Sequence, residues 1–98
     1  MPSQIRVEIL DNHQSIIDGY IYRLTLVPSI QIVASAVFGE ELEPMIASHE
    51  ADILLMELSI PVSAENHNPF PVLYLIPRLL QRYPNLRILI ISILKQWP

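Results

Sequence analysis

Three short apolar runs punctuate the chain, at Ile5–Leu10, Ile53–Met56 and residues 87–91, and a weaker run at Ile30–Ala36 alternates apolar with polar positions. Runs of this length, rich in Ile, Leu and Val, suit strands buried on both faces. Between them the apolar positions change to a helical period. Ile17, Tyr20, Ile21 and Leu24 fall on one face of a first helix, and Leu42, Met45, Ile46 and His49 on one face of a second. Glu40, Glu41 and Glu43 gather at the start of the second helix, where the helix dipole favours negative charge. Pro44 then belongs in its first turn, because deeper in it would remove a hydrogen bond and clash. A third helix is predicted over residues 72–83, with Leu73, Ile76, Leu79 and Leu80 as its apolar face and a kink or a start at Pro77. Residues 62–71, with two prolines, two asparagines and His67, read as an exposed loop, and Tyr83-Pro84-Asn85 as a stop.

Strands that alternate with helices give a parallel sheet with right-handed crossovers. In such sheets the chemistry gathers at the carboxyl ends of the strands. Asp11 and Asn12 close the first strand, Glu57 the third and Ser92 the fourth. Two carboxylates, an amide and a hydroxyl therefore share one edge. Oxygen donors of this kind suit Mg²⁺. The alternative is that Asp11 and Asn12 are turn or cap residues and Ser92 a satisfied core hydroxyl. Glu57 follows an apolar run, and a carboxylate there needs a partner.

Composition narrows the function classes. The chain has 98 residues, enough for one small domain, of which 51% are hydrophobic and only 16% charged. Its mean hydropathy is +0.36. So few charges imply strands buried on both faces or an apolar surface that meets a partner. No apolar run approaches the roughly 18 residues of a membrane helix, and Met1-Pro-Ser-Gln-Ile-Arg6 lacks the pattern of a secretory signal. The absence of cysteine excludes disulfides, thiolate metal sites and a cysteine nucleophile, and fits the cytoplasm. A net charge of −4 without clustered Lys or Arg argues against a nucleic-acid surface on this segment. His13 reads as a surface residue of the loop entering the first helix, and His49 and His67 are too scattered for a metal site. Tyr20, Tyr22, Tyr74 and Tyr83 read as helix packing. A Ser–His–Asp triad lacks a nucleophile elbow.

Taken in order, these segments resemble the receiver domains of bacterial response regulators. Ile5-Arg-Val-Glu-Ile-Leu-Asp11-Asn12-His13 is similar to their first strand and acidic pair, and the spacing from His13 to Gly19 resembles regulators that carry a C-terminal helix-turn-helix. Ala36-Val-Phe-Gly39-Glu-Glu-Leu42 resembles the turn into the second helix. Ala51-Asp52-Ile-Leu-Leu-Met-Glu57-Leu-Ser-Ile-Pro61 resembles the phosphoacceptor strand, and the run from Arg82 to Ser92 the approach to the switch hydroxyl. The matches are collinear and span nearly the whole chain.

The resemblance implies a doubly wound, flavodoxin-like α/β fold with strand order 2-1-3-4, over a domain of residues 1–98 that lacks the family's fifth strand and is C-terminally incomplete. It implies Asp11 and Asn12 in the acidic pocket, Glu57 at the phosphoacceptor position and Ser92 as the switch hydroxyl. In the family a sensor histidine kinase phosphorylates an aspartate beside Mg²⁺, and a lysine grips the phosphate. Three departures follow. Asn12 has lost one charge of the pair. Glu57 carries its carboxylate about 1.5 Å further out than an aspartate. No lysine matches the family's, since Lys95 stands only three residues past Ser92.

The expectation is an atypical receiver that is not an enzyme and is not phosphorylated. Glu57 imitates the phosphorylated aspartate, and any Mg²⁺ held by Asp11 and Glu57 is weakly bound. No other cofactor is expected. The expected partners are a sensor histidine kinase or another signalling protein, a second copy of the chain in a homodimer, and DNA only through an effector domain outside this chain. No membrane is involved. The alternatives are a conventional Mg²⁺-dependent phosphoacceptor and a small Mg²⁺-dependent phosphohydrolase.

Overall fold

A computed structural model describes residues 4–91 of the chain. Strand β1 (Ile5–Leu10) leads into helix α1 (Gln14–Leu24) and strand β2 (Ile30–Ala36). A 3₁₀ turn (Gly39–Glu41) then opens helix α2 (Leu42–Ser48), followed by β3 (Ile53–Met56), α3 (Val72–Arg82) and β4 (Arg87–Ile90). The four strands form one sheet in the order β2-β1-β3-β4, and every pair is parallel. This is the architecture the strand–helix alternation predicts. Leu10 pairs with Ala36 on one side and Met56 on the other, and Met56 with Ile90, so the carboxyl ends of the strands lie level.

The period of two along β1 divides the core. Val7 and Ile9 pack with Ile17 of α1 on one face. Leu10 faces the other way, into the larger cluster with Leu42, Met45 and Ile46 of α2, Leu54 and Met56 of β3, and Val72 and Leu79 of α3. Strand β2 changes face within its own length. Val7 pairs with Ile32 but Glu8 with Ala34, so Val33 is an extra residue in the ladder. One inserted residue exchanges the faces of everything after it. Ile30 and Ile32 accordingly pack on the α1 side, and Ala34 and Ala36 on the α2–α3 side.

Helix α3 departs from its predicted face. Val72 and Leu79 are buried, with Leu75 and Ile76 packed beside them, whereas Leu73 is 65% exposed and Leu80 is also exposed. The segment Val-Leu-Tyr-Leu-Ile-Pro-Arg-Leu-Leu is apolar nearly all round, so two stripes fit the helical period and packing selects one. Pro77 neither starts nor ends the helix, which runs through it. Pro77 faces solvent. The tyrosines divide too: Tyr20 and Tyr83 pack against the core, but Tyr22 and Tyr74 are exposed, Tyr74 at 84%. No described helix is long and apolar enough to cross a membrane.

The loop between β3 and α3 is more ordered than its composition predicts. Val62 donates its backbone N–H to the Asn68 carbonyl and Ser63 to that of Asn66, which folds the loop back on itself, with a bridge between Pro61 and Pro69. It is then fastened to the 3₁₀ turn, because Gly39 and Glu40 donate their N–H groups to the carbonyls of Pro61 and Val62. The Phe70 side chain lies where a Cβ on residue 39 would project, so this contact requires glycine.

Candidate functional site

The level carboxyl ends of β1 and β3 bring Asp11 and Glu57 to the same edge of the sheet. Asp11 is held by its N–H, donated to the Ala36 carbonyl at 3.1 Å, and Glu57 by its N–H to the Leu10 carbonyl at 3.0 Å. Both side chains line a crevice too narrow to admit a water molecule, with Tyr20 of α1 and Ile91 beyond β4 as further walls. Asn12 lies beside them at the start of the loop. Ser92, the predicted switch hydroxyl, and Lys95 lie outside the described residues.

Each polar group at this edge already has a local partner. Asp11, only 5% exposed, accepts the His13 backbone N–H on Oδ1 at 2.8 Å, and His13 Nδ1 stands 3.2 Å from the same oxygen. The side chain of Asn12 donates from Nδ2 to the Val37 carbonyl at 3.1 Å and ties the exit of β1 to the exit of β2. Glu57, half-buried, accepts the Ser59 N–H on Oε1 at 3.2 Å. The bond curls the glutamate back over its own loop and fixes where its charge sits. His13 is largely exposed, as the sequence predicts, but it also forms the only ion pair within 4.0 Å among the described residues.

As a divalent-cation site this edge is sparsely equipped. Mg²⁺ is held by one or two carboxylates together with several waters in octahedral geometry. Here there are two carboxylates, each with one oxygen already accepting a backbone N–H. Among the described residues no group of three or more His, Asp or Glu side chains converges as a metal site.

A charged residue that the sequence pattern passed over lies within β1 itself, three residues before Asp11. Glu8 of β1 is fully buried, and neither of its carboxylate oxygens has a hydrogen-bond partner among the described residues. Burial raises its pKa from 4.5 to about 7, against the lowering pull of His49 and Arg6. The signal was present in the sequence. An acid inside an apolar run needs a partner, and the requirement that marks Glu57 applies with more force to Glu8.

A parallel sheet in the order 2-1-3-4, with helices on both faces and acids at the carboxyl ends of its two central strands, is the receiver fold. The chain has that fold, with four strands among its described residues. Comparison with known proteins agrees. The chain is 27% identical over 95 residues to the transcriptional regulatory protein DegU of Brevibacillus brevis, a match covering 93% of this chain and 36% of the relative. Among solved structures it is similar to the isolated REC domain of RcsB from Salmonella enterica serovar Typhimurium in the presence of phosphomimetic BeF₃⁻, with a TM-score of 0.78, 19% identity, and coverage of 96% of this chain and 65% of that one. The non-phosphorylated receiver domain of the stress response regulator RcsB from Escherichia coli gives a TM-score of 0.75 at 20% identity, covering 91% of this chain and 65% of that one. No family model matches. The chain thus spans about a third of the length of the curated relative it matches.

Proposed function

We propose that this chain is the signal-input module of a response regulator, and that Glu57 supplies a standing negative charge at the phosphoacceptor position. The observation that carries the reading is the position of Glu57. It follows β3 directly, level with Asp11 on the neighbouring strand, and its carboxylate is fixed by the Ser59 N–H. A phosphorylated aspartate differs from a free one chiefly in added charge and reach. A glutamate extends about 1.5 Å beyond an aspartate and keeps its charge without a kinase. The pocket acts through this charge on the surface around it.

In-line phosphoryl transfer depends on placing nucleophile, metal and phosphate together. A displaced carboxylate, a neutral Asn12 and the two engaged carboxylate oxygens all oppose it. Signalling then proceeds through contacts with partners: a sensor histidine kinase or another signalling protein, and a second copy of the chain. Two features support the homodimer. RcsB has been solved as two dimers bound to two parallel DNAs, in a structure with a TM-score of 0.80 and 19% identity to this chain. Leu89, Ile90 and Ile91, along the edge of the sheet, are exposed large apolar side chains. Any contact with DNA belongs to an effector domain outside these residues, and the setting is cytoplasmic.

The test is incubation with acetyl phosphate and Mg²⁺ followed by intact-mass measurement. The unmodified chain is expected to stay at its own mass. Glu57→Asp combined with Asn12→Asp is expected to recover Mg²⁺ binding before it recovers phosphorylation. A mass increase of one phosphoryl group on the unmodified chain overturns the proposal in favour of a conventional phosphoacceptor.

A further inference from the structure

At the amino end of the sheet, opposite Asp11 and Glu57, a cavity of about 610 Å³ opens between the C-terminal ends of α2 and α3. Small-molecule clefts span roughly 300–1,000 Å³. Ile46, Leu86 and Tyr83 give it apolar walls, and Arg6 and Glu8 of β1 also line it. These two residues are two positions apart and share one face of the strand. Glu8 is 0% exposed and both its oxygens are without a partner. The Nε of Arg6 is likewise buried and has no acceptor among the described residues. Arg6 pulls on the Glu8 carboxylate through its charge, but the two form no ion pair within 4.0 Å, the one such pair among the described residues being that of His13 with Asp11. Buried charges are normally paired and buried polar atoms hydrogen-bonded. Here two residues that line one cavity carry a donor and two acceptors that are covered and, among the described residues, without a partner.

The other charged groups around the cavity have different commitments. Asp52, at the approach to β3, accepts the Arg6 backbone N–H at 2.8 Å. The imidazole of His49, at the end of α2, bonds through Nδ1 to the Met45 carbonyl at 3.0 Å. Arg82, at the end of α3, lies 5.7 Å over the Tyr83 ring. Glu50 stands at the rim and is exposed.

We infer that this cavity binds a small zwitterion, a free amino acid with an apolar side chain, whose ammonium group is taken by Glu8 and whose carboxylate is taken by Arg6 Nε. An amine alone leaves the Arg6 donor unfilled, and an acid alone leaves Glu8 unfilled. An amino acid carries both groups on one carbon, a few ångströms apart, and its side chain meets Ile46, Leu86 and Tyr83. The Glu8 oxygens and the Arg6 Nε are covered in the free protein, so uptake includes a rotation of both flexible side chains toward the cavity. The ammonium group selects the ionised carboxylate. Because burial holds Glu8 partly protonated up to about pH 7, affinity rises as pH climbs through that value.

The test is a heteronuclear NMR titration of the 98-residue chain at pH 8 with L-leucine, with isopentylamine (leucine without its carboxylate) and with isocaproate (leucine without its amine). Leucine is expected to shift the amides of Arg6, Glu8, His49 to Asp52 and Tyr83 to Leu86. Binding of the amine or the acid is expected to be weaker by about tenfold or more, equivalent to about 1.4 kcal/mol. Glu8→Gln, which preserves shape, is expected to weaken leucine binding by a similar factor. Arg6→Met is expected to erase the preference for leucine over isopentylamine, which gives a second readout if Glu8→Gln perturbs the fold. Absence of shifts with leucine, shifts unchanged in Glu8→Gln, or equal binding of leucine and isopentylamine each overturns the inference.

Discussion

Asp11 and Glu57 at the carboxyl end of the sheet, and Arg6 and Glu8 at its amino end, are two sets of charges borne by the central strands or the residues next to them. At the carboxyl end each carboxylate accepts a backbone N–H from two residues further on, and the Asn12 amide bonds to the Val37 carbonyl. The space between is too narrow to admit a water molecule. At the amino end Glu8 and the Nε of Arg6 have no partners among the described residues, and the cavity their residues line is about 610 Å³. Position in the fold therefore does not by itself identify groups ready for a ligand. A polar group whose hydrogen bonds are closed locally can act through its charge. One that is left open destabilises the empty protein until something fills it.

The sharpest way to break this contrast is Glu8→Leu. Glu8 is held neutral up to about pH 7, against 4.5 for an unperturbed glutamate. Between those values the folded chain holds a proton that the unfolded chain has lost. Stability therefore falls as pH rises through the window, and above it the full cost is present. Leucine removes that cost. The gain in unfolding free energy on Glu8→Leu is expected to be larger at pH 8 than at pH 5 by roughly 2–3 kcal/mol. Urea denaturation at the two pH values measures it. An equal gain at both would mean that Glu8 titrates normally and that the two ends of the sheet are alike.

The same contrast separates what was legible in the sequence from what was not. The strand positions, the parallel sheet and the convergence of Asp11 with Glu57 follow from short apolar runs, their alternation with helical spacing, and the rule for carboxyl ends, and the strand order from the resemblance to receiver domains. Ser92 was marked by the same rule, but lies outside the described residues. The face of α3 was misread because Leu73 and Leu80 fit the helical period as well as Val72 and Leu75 do. The choice depends on which side meets β1 and β3. The order of residues 61–71 has two sources: the Ser63 and Asn66 side chains accept the N–H groups of Asn66 and Asn68, a turn chemistry the residue types offer, whereas the backbone bonds that fasten the loop to Gly39 and Glu40 carry no residue-type signature. Glu8 was readable as an acid in an apolar run. Its lack of a partner depends on where the ends of α2 and α3 leave space.

A second, smaller test works at the carboxyl end. Gly39 lets Phe70 pack against the 3₁₀ turn, and so fixes the loop that follows Glu57. Gly39→Ala puts a methyl group into the Phe70 side chain, and overpacking of this kind costs about 1–3 kcal/mol. The expected outcome is a loss of stability within that range, with faster amide hydrogen exchange at Val62, Ser63 and Phe70 and unchanged exchange at Glu8. Loss of protection at both ends together would show that they are one cooperative unit rather than two independent sites.

The smallest expected effect is that of His13→Ala. His13 approaches Asp11 twice, through its backbone N–H at 2.8 Å and through its ring at 3.2 Å. Only the second contact is lost on substitution. The imidazole is largely exposed, and an ion pair of that kind contributes little. The backbone bond, by contrast, is charge-assisted, shielded with Asp11 itself, and indifferent to residue type. Stability at neutral pH is therefore expected to change by less than about 0.5 kcal/mol, within the range of ordinary surface substitutions. Asp11→Ala, which removes the acceptor for both contacts, is expected to cost about 1 kcal/mol. Urea denaturation of the two variants side by side separates the contributions. If His13→Ala costs as much as Asp11→Ala, the imidazole is the main support of Asp11. Its carboxylate would then be freed whenever His13 swings away, and the carboxyl end of the sheet would join the amino end as a place where a buried acid lacks a fixed partner.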